Sequence, residues 1–296
     1  MNKSPAQQTT PAGSPLAFVR NIILKALVLF LIANLIFAAS YPMTTLGQIS
    51  AYNHLFPGRQ RLPYGDNPEK AYNLSLYNLE AMFASHEIAA KAKPTGEYRI
   101  ILIGDSATWG FLQPVEHTLS SYLNQSLQGK TAPDGRVLRV YNLGYPVMSV
   151  TKDLLIFSYA LRYQPDLIIW PLTLQSLPYD KQLFPPLLKN NPAAVKKLIE
   201  QYQLNLDPNS PEFVDLTYWN RTLVGARRPL ADLIRLQLYG PLWAATGIDQ
   251  EIPEAYELRM EDLSAEEDFH NLTPPHLFST DLALDVLAAG MRAAGS

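Results

Sequence analysis

The sequence predicts an α/β fold built on a parallel sheet and preceded by one transmembrane helix. Three observations carry this. The apolar run Ile100-Ile101-Leu102-Ile103 stops abruptly at Gly104-Asp105-Ser106, which fits a strand buried on both faces. Two further short runs, Val137–Tyr141 and Leu167–Trp170, alternate with stretches of helical periodicity. Near the start of the chain, Leu16 to Ala39 is apolar almost throughout.

Residues 1–15 are polar, rich in Pro, Gln and Thr, and predicted to be disordered. Arg20, Asn21, Lys25 and Asn34 interrupt the apolar stretch that follows. Its cleaner part, Ala26 to Ala39, is shorter than the roughly 20 residues a span needs. The Lys25 side chain can reach back to the interface and extend the usable helix towards Ile22. A cleaved signal peptide is the alternative, since Ala38, Ala39 and Ser40 are small, but the polar leader is long for one. The preferred reading is an anchor at 16–40. Lys3, Arg20 and Lys25 lie at its start, and no Lys or Arg occurs between Ser40 and Gly58. This charge asymmetry puts the N-terminus in the cytoplasm and the rest of the chain outside it.

Residues 41–96 read as a linker and a covering helix, the helix at 74–92 with Leu76, Leu79, Met82, Phe83 and Ile88 towards a core. After the first strand, Val115, Leu119, Leu123 and Leu127 form one helical stripe. The second strand ends in the turn Asn142–Pro146, and Ser149 or Thr151 caps a helix running to about Tyr163. Pro165-Asp166 breaks that helix, and Pro171 stops the third strand. These are βαβ units, and right-handed crossovers place the first strand between the other two, in the order 2-1-3.

Residues 178–268, approximately, read as a helical insertion. Ala193 to Gln203 is helical, and 229–246 is an apolar helix kinked or split at Gly240-Pro241. Asp232 and Arg235 argue against a second span there. The acidic stretch 249–268 is predicted to be solvated, and Ser279 to cap a last helix, Asp281 to Ala294.

Composition narrows the function. The 296 residues carry a net charge of −3, with a pI of about 6.0, so no basic excess points to nucleic acid. The chain has no cysteine, which excludes disulfides, thiolate catalysis and Cys-ligated zinc. No P-loop, Gly-x-Gly-x-x-Gly or zinc-like histidine spacing occurs, so no cofactor or metal is expected.

Ser106, between a buried strand and a helix, sits at the carboxyl edge of the sheet, where open α/β sheets place their chemistry. The bland alternative is that it merely caps the helix. The longer motif Gly104-Asp105-Ser106-Ala107-Thr108-Trp109-Gly110 resembles the first block of the SGNH (GDSL-like) hydrolase superfamily of esterases, lipases and acyl transferases. The resemblance covers roughly Glu97 to Pro171. It implies a three-layer α/β/α fold on a flavodoxin-like parallel sheet, with Ser106 as nucleophile. Gly144, in Asn142-Leu143-Gly144, resembles the glycine of the second block, so the backbone N–H groups of Ser106 and Gly144 would form the oxyanion hole.

The chain departs from the family at two places. The third block, Gly-x-Asn-Asp, is replaced by Pro171-Leu172-Thr173-Leu174-Gln175-Ser176, where Thr173 or Gln175 is the available side-chain donor. The Asp-x-x-His that supplies the base is matched only superficially by His276, with Thr273 in the aspartate's place. Of the other histidines, His86 is placed at the sheet edge opposite Ser106 and His117 on a solvated helix face. No comparable strand follows Pro171, which suggests a C-terminally incomplete member, 97–296 being part of the domain and the Asp and His lying beyond residue 296. The alternative is a divergent domain with His276 as base. The implied function is a membrane-anchored, extracytoplasmic serine esterase or acyl hydrolase. The alternatives are an acyltransferase acting on a cell-envelope polymer and a non-catalytic tethered α/β module. The implied partners are the membrane and an ester-bearing small molecule or envelope glycan.

Overall fold

The computed structural model describes residues 15–56, 58–65, 67, 70–250, 252 and 278–295. Residues 1–14, most of the acidic stretch, His270 and His276 lie outside the described residues, as does the side chain of His54. In chain order the elements are α1 (Pro15–Ser40), α2 (Met43–Gly47), α3 (Ala51–Leu55), α4 (Leu79–Ala84), α5 (Glu87–Ala90), β1 (Glu97–Gly104), α6 (Ser106–Trp109), α7 (Leu119–Leu127), β2 (Val137–Gly144), α8 (Val150–Ala160), β3 (Leu167–Ile169), α9 (Pro186–Lys189), α10 (Pro192–Tyr202), α11 (Arg227–Thr246) and α12 (Leu284–Ala294). They fall into two compact units, Met1–Pro42 with Leu216–Arg227, and Met43–Asp215 with Arg228–Ser296.

In the first unit α1 is continuous over 26 residues. At about 1.5 Å per residue it is some 39 Å long, against a hydrocarbon core of about 30 Å. Its Leu, Ile, Val and Phe side chains stand largely exposed, and only Asn34 and Ala38 are buried. By length and composition it is able to cross a membrane.

The second unit holds a mixed α/β arrangement around three parallel strands in the order β2-β1-β3. Eight consecutive pairs join β1 to β2, from Glu97↔Val137 to Gly104↔Gly144, so both strands end level at the carboxyl edge. Side chains alternate along β1. Ile100 and Leu102 pack with Val140 and with Leu123 and Leu127 of α7. Ile101 and Ile103 join Leu143, Leu154 of α8, Phe83 of α4 and Val286 of α12. A strand with no polar face explains why its sequence shows a continuous apolar run.

Several expectations change. The helix expected at 74–92 is a 3-10 turn (Leu74–Leu76) followed by α4 and α5. Asn78 and His86 interrupt it, because their side chains accept from Ala81 N–H and Ile88 N–H and cap new helices. Leu79, Met82, Phe83 and Ile88 belong to the main core, so this segment is part of the same compact unit as the sheet. The helix α11 is not split at Gly240-Pro241 but runs through Pro241. Leu236 is buried along it, and the buried Asp232 accepts from the Tyr77 hydroxyl at 2.9 Å and Arg235 at 2.8 Å. Asp249, expected to be solvated, forms a paired ion bridge to the buried Arg61.

Candidate functional site

The corner at the carboxyl end of β1 is built from backbone outward. Gly104 has φ +155, and a Cβ there would stand 2.4 Å from Thr108 Oγ1, so glycine is required for the strand to turn into α6. The next residue, Asp105, is the helix cap: its Oδ1 accepts the Ala107 N–H at 3.0 Å. Ser106 is therefore the first helical residue, not the cap. Its side chain is half-buried, and among the described residues neither its hydroxyl nor its N–H has a hydrogen-bond partner. The helix it opens has only four residues, so no appreciable dipole is available to an oxyanion, contrary to the sequence reading of one helix after the serine.

Two clamps fix this corner. Below it, Lys152 is fully buried and its Nζ donates to Gly104 O at 2.9 Å and Tyr145 O at 2.8 Å, tying the ends of β1 and β2 together. The same Nζ stands 2.5 Å from Asp153 Oδ1, a charge contact between adjacent residues. Burial pushes the Asp153 carboxyl up, while Lys152 and the Trp170 indole N–H hold it back. Beside it, Trp109 donates its indole N–H to Leu62 O at 2.8 Å. Arg61 lies over the Trp109 ring and donates to Gly110 O and Gln113 O. Gln250 reads the same loop through Leu112 N–H and Gln113 O.

The sequence-predicted residues fare differently. Gly144 lies level with Gly104 and next to α6: a Cβ would meet Trp109 N at 2.5 Å. Its N–H, however, donates to Asn142 Oδ1 at 3.0 Å, so in this structure that N–H is engaged within the protein. Asn142 in turn donates to Thr108 O, stitching β2 to α6. From the loop after β3, Thr173 reaches the corner, with its hydroxyl 3.5 Å from Asp105 Oδ2 and 3.1 Å from Ser176 Oγ. His276 lies outside the described residues. His117 is exposed and stacks on Tyr122, as the solvated-face reading expects.

His86 is completely buried. Its Nδ1 accepts from Ile88 N–H at 3.1 Å, which leaves Nε2 as the protonated nitrogen, donating to Gln60 O at 3.2 Å. Burial lowers its pKa to about 4, against the opposing pull of the Gln60 carbonyl. Both ring nitrogens are used structurally.

Sequence reasoning missed Lys152, Arg61 and Asp249. Lys152 did leave a signal, a charged Lys-Asp pair inside α8, whose other residues are apolar apart from Thr151, Ser158 and the Tyr159 hydroxyl. Arg61 and Asp249 are 188 positions apart and left none. A scan against protein-family models and a search of curated proteins found no match.

Proposed function

We propose that this chain is a membrane-anchored, extracytoplasmic serine esterase or acyl hydrolase of SGNH type, acting through Ser106 on a three-layer α/β/α domain. The observation that carries the reading is that Asp105, not Ser106, caps α6. The serine hydroxyl is left solvent-reachable at the carboxyl edge of the central strand, with no bond to a described group. In this reading Ser106 Oγ attacks an ester carbonyl, its proton passes to a base, and the alcohol leaves. Water then releases the acid from the acyl-enzyme. In this reading the Ser106 N–H and, once released from Asp105 Oδ2, the Thr173 hydroxyl would donate to the developing oxyanion. His276 is the base the resemblance nominates. An acyltransferase acting on an envelope glycan would use the same serine with a sugar hydroxyl in place of water.

A non-catalytic tethered module is the second reading. It is favoured by the engagement of the Gly144 N–H with Asn142 and by the structural use of His86. Incubating the full chain with an activated acetyl ester, with and without envelope glycan, separates the three. Acetate release abolished by Ser106→Ala supports hydrolysis, and acetylated glycan supports transfer. Turnover equal to the Ser106→Ala background in both arms supports the module.

A further inference from the structure

Within the first compact unit, Leu216–Arg227 packs against the C-terminal part of α1. The contact is specific. Asn34, a polar residue in the apolar helix, is 8% exposed, donates to Phe30 O at 2.8 Å and accepts the Val224 N–H at 3.3 Å. Asn34 lies six residues before Ser40, about 9 Å down the helix axis. Backbone that approaches a spanning helix at such a level must satisfy its own polar groups. From Val224 to Arg227 every N–H of this segment is bonded. Gly225 N–H is donated to Thr222 Oγ1, Ala226 N–H to Thr222 O, and Arg227 N–H to Val224 O. Gly225 permits the tight turn, since a Cβ there would fall 2.1 Å from Trp219 O.

What the segment turns outward is an aromatic pair with cations. Trp219 is 62% exposed and Tyr218 57%, and Arg221 and Arg227 are exposed beside them. Large aromatics with one polar end, flanked by guanidinium groups, match the headgroup layer of a bilayer, and the cations match anionic lipid.

We infer that Leu216–Arg227 is a second membrane-contacting element, a belt beside the outer end of α1 whose Tyr218 and Trp219 sit among lipid headgroups. This rests on α1 spanning the membrane. The covering partner is lipid, because the segment is held against the spanning helix itself, its N–H groups from Val224 to Arg227 are bonded, and its exposed face pairs aromatics with cations.

The absence of cysteine makes the test direct. Single variants Trp219→Cys, Tyr218→Cys, Leu31→Cys on α1 and Asn209→Cys on an exposed loop are spin-labelled in the full chain. They are reconstituted in vesicles of phosphatidylcholine with phosphatidylglycerol. Collision rates with oxygen and with a water-soluble nickel chelate are then compared. The expected result at 218 and 219 is nickel contact several-fold below that at 209 with high oxygen contact, and still lower nickel contact at 31. Lipid-like values at 31 with water-like values at 218 and 219 overturn the belt and leave the anchor standing. Low contact with both reagents at 218 and 219 means a protein covers them and also overturns it. Water-like values at 31 overturn the anchor itself.

Discussion

The two edges of the sheet handle polar groups in opposite ways. At the amino edge carboxylates meet cations. Glu97 accepts from Arg99 Nε at 2.5 Å and from the Tyr141 hydroxyl at 3.0 Å. Asp166 accepts from Lys93 Nζ, the Arg99 N–H and Arg136 at 2.6, 2.6 and 2.7 Å. Burial alone would raise the Asp166 carboxyl, but these hydrogen bonds outweigh it and hold it at about 2. At the carboxyl edge polar groups are tied mainly to backbone, with the Lys152–Asp153 pair beside them. Lys152 clamps two carbonyls and Asp105 caps a helix, while the Ser106 hydroxyl is left without a described partner. An edge whose charges neutralise each other is a structural seal. An edge that locks its frame and leaves one nucleophilic group unspent is where chemistry fits.

The largest effect is expected from Lys152→Met. It strands the buried Asp153 and two carbonyls, and removing one partner of a buried pair costs about 3–5 kcal/mol. Urea unfolding of the detergent-solubilised full chain checks this. A loss below about 0.5 kcal/mol, the range of ordinary surface changes, would show that the clamp is not what holds the two strand ends.

His86 gives the next effect, as a pH dependence. Its folded pKa of about 4 lies below the ordinary value of 6.5, so the unfolded chain binds the extra proton between these limits. The stability from neutral His86 is fully present above about pH 6.5 and is lost as pH falls towards 4, about 3 kcal/mol in all. His86→Asn, which keeps a capping side chain, should flatten the stability profile across that window. A slope unchanged in the variant would assign it to other groups.

The strands were legible in the sequence because β1 is buried on both faces and shows as an unbroken apolar run. The 2-1-3 order, expected from right-handed βαβ units and the flavodoxin-like arrangement, is the order observed. The division of 74–92 was not legible, because helical periodicity does not see Asn78 and His86 folding back to cap. The role of the Gly144 N–H was missed although its signal was present. Asn142 precedes it by two positions, the spacing at which an asparagine oxygen accepts a backbone N–H. The Asp166 pairs at the amino edge and the Arg61–Asp249 bridge arise only from tertiary contact, and spacing carries no trace of them.

A matched pair of glycines gives a smaller effect and compares the edges directly. Gly144→Ala drives a Cβ to 2.5 Å from Trp109 N and 2.8 Å from Thr108 C, so α6 must shift, at a cost of about 1–3 kcal/mol. Gly96→Ala, just before β1, meets nothing within 4 Å and should stay within about 0.5 kcal/mol of the parent. Equal costs in the unfolding assay would mean that the carboxyl corner is no more tightly packed than the amino one.

The most direct measurement is covalent labelling of the full chain by a fluorophosphonate probe, with the modified peptide identified by mass spectrometry. The expected result is phosphonylation of Ser106, absent in Ser106→Ala, with the variant's stability within about 0.5 kcal/mol of the parent because the hydroxyl has no described bond to lose. A parent chain that stays unlabelled while folded, or labelling that persists in Ser106→Ala, would contradict Ser106 as the nucleophile.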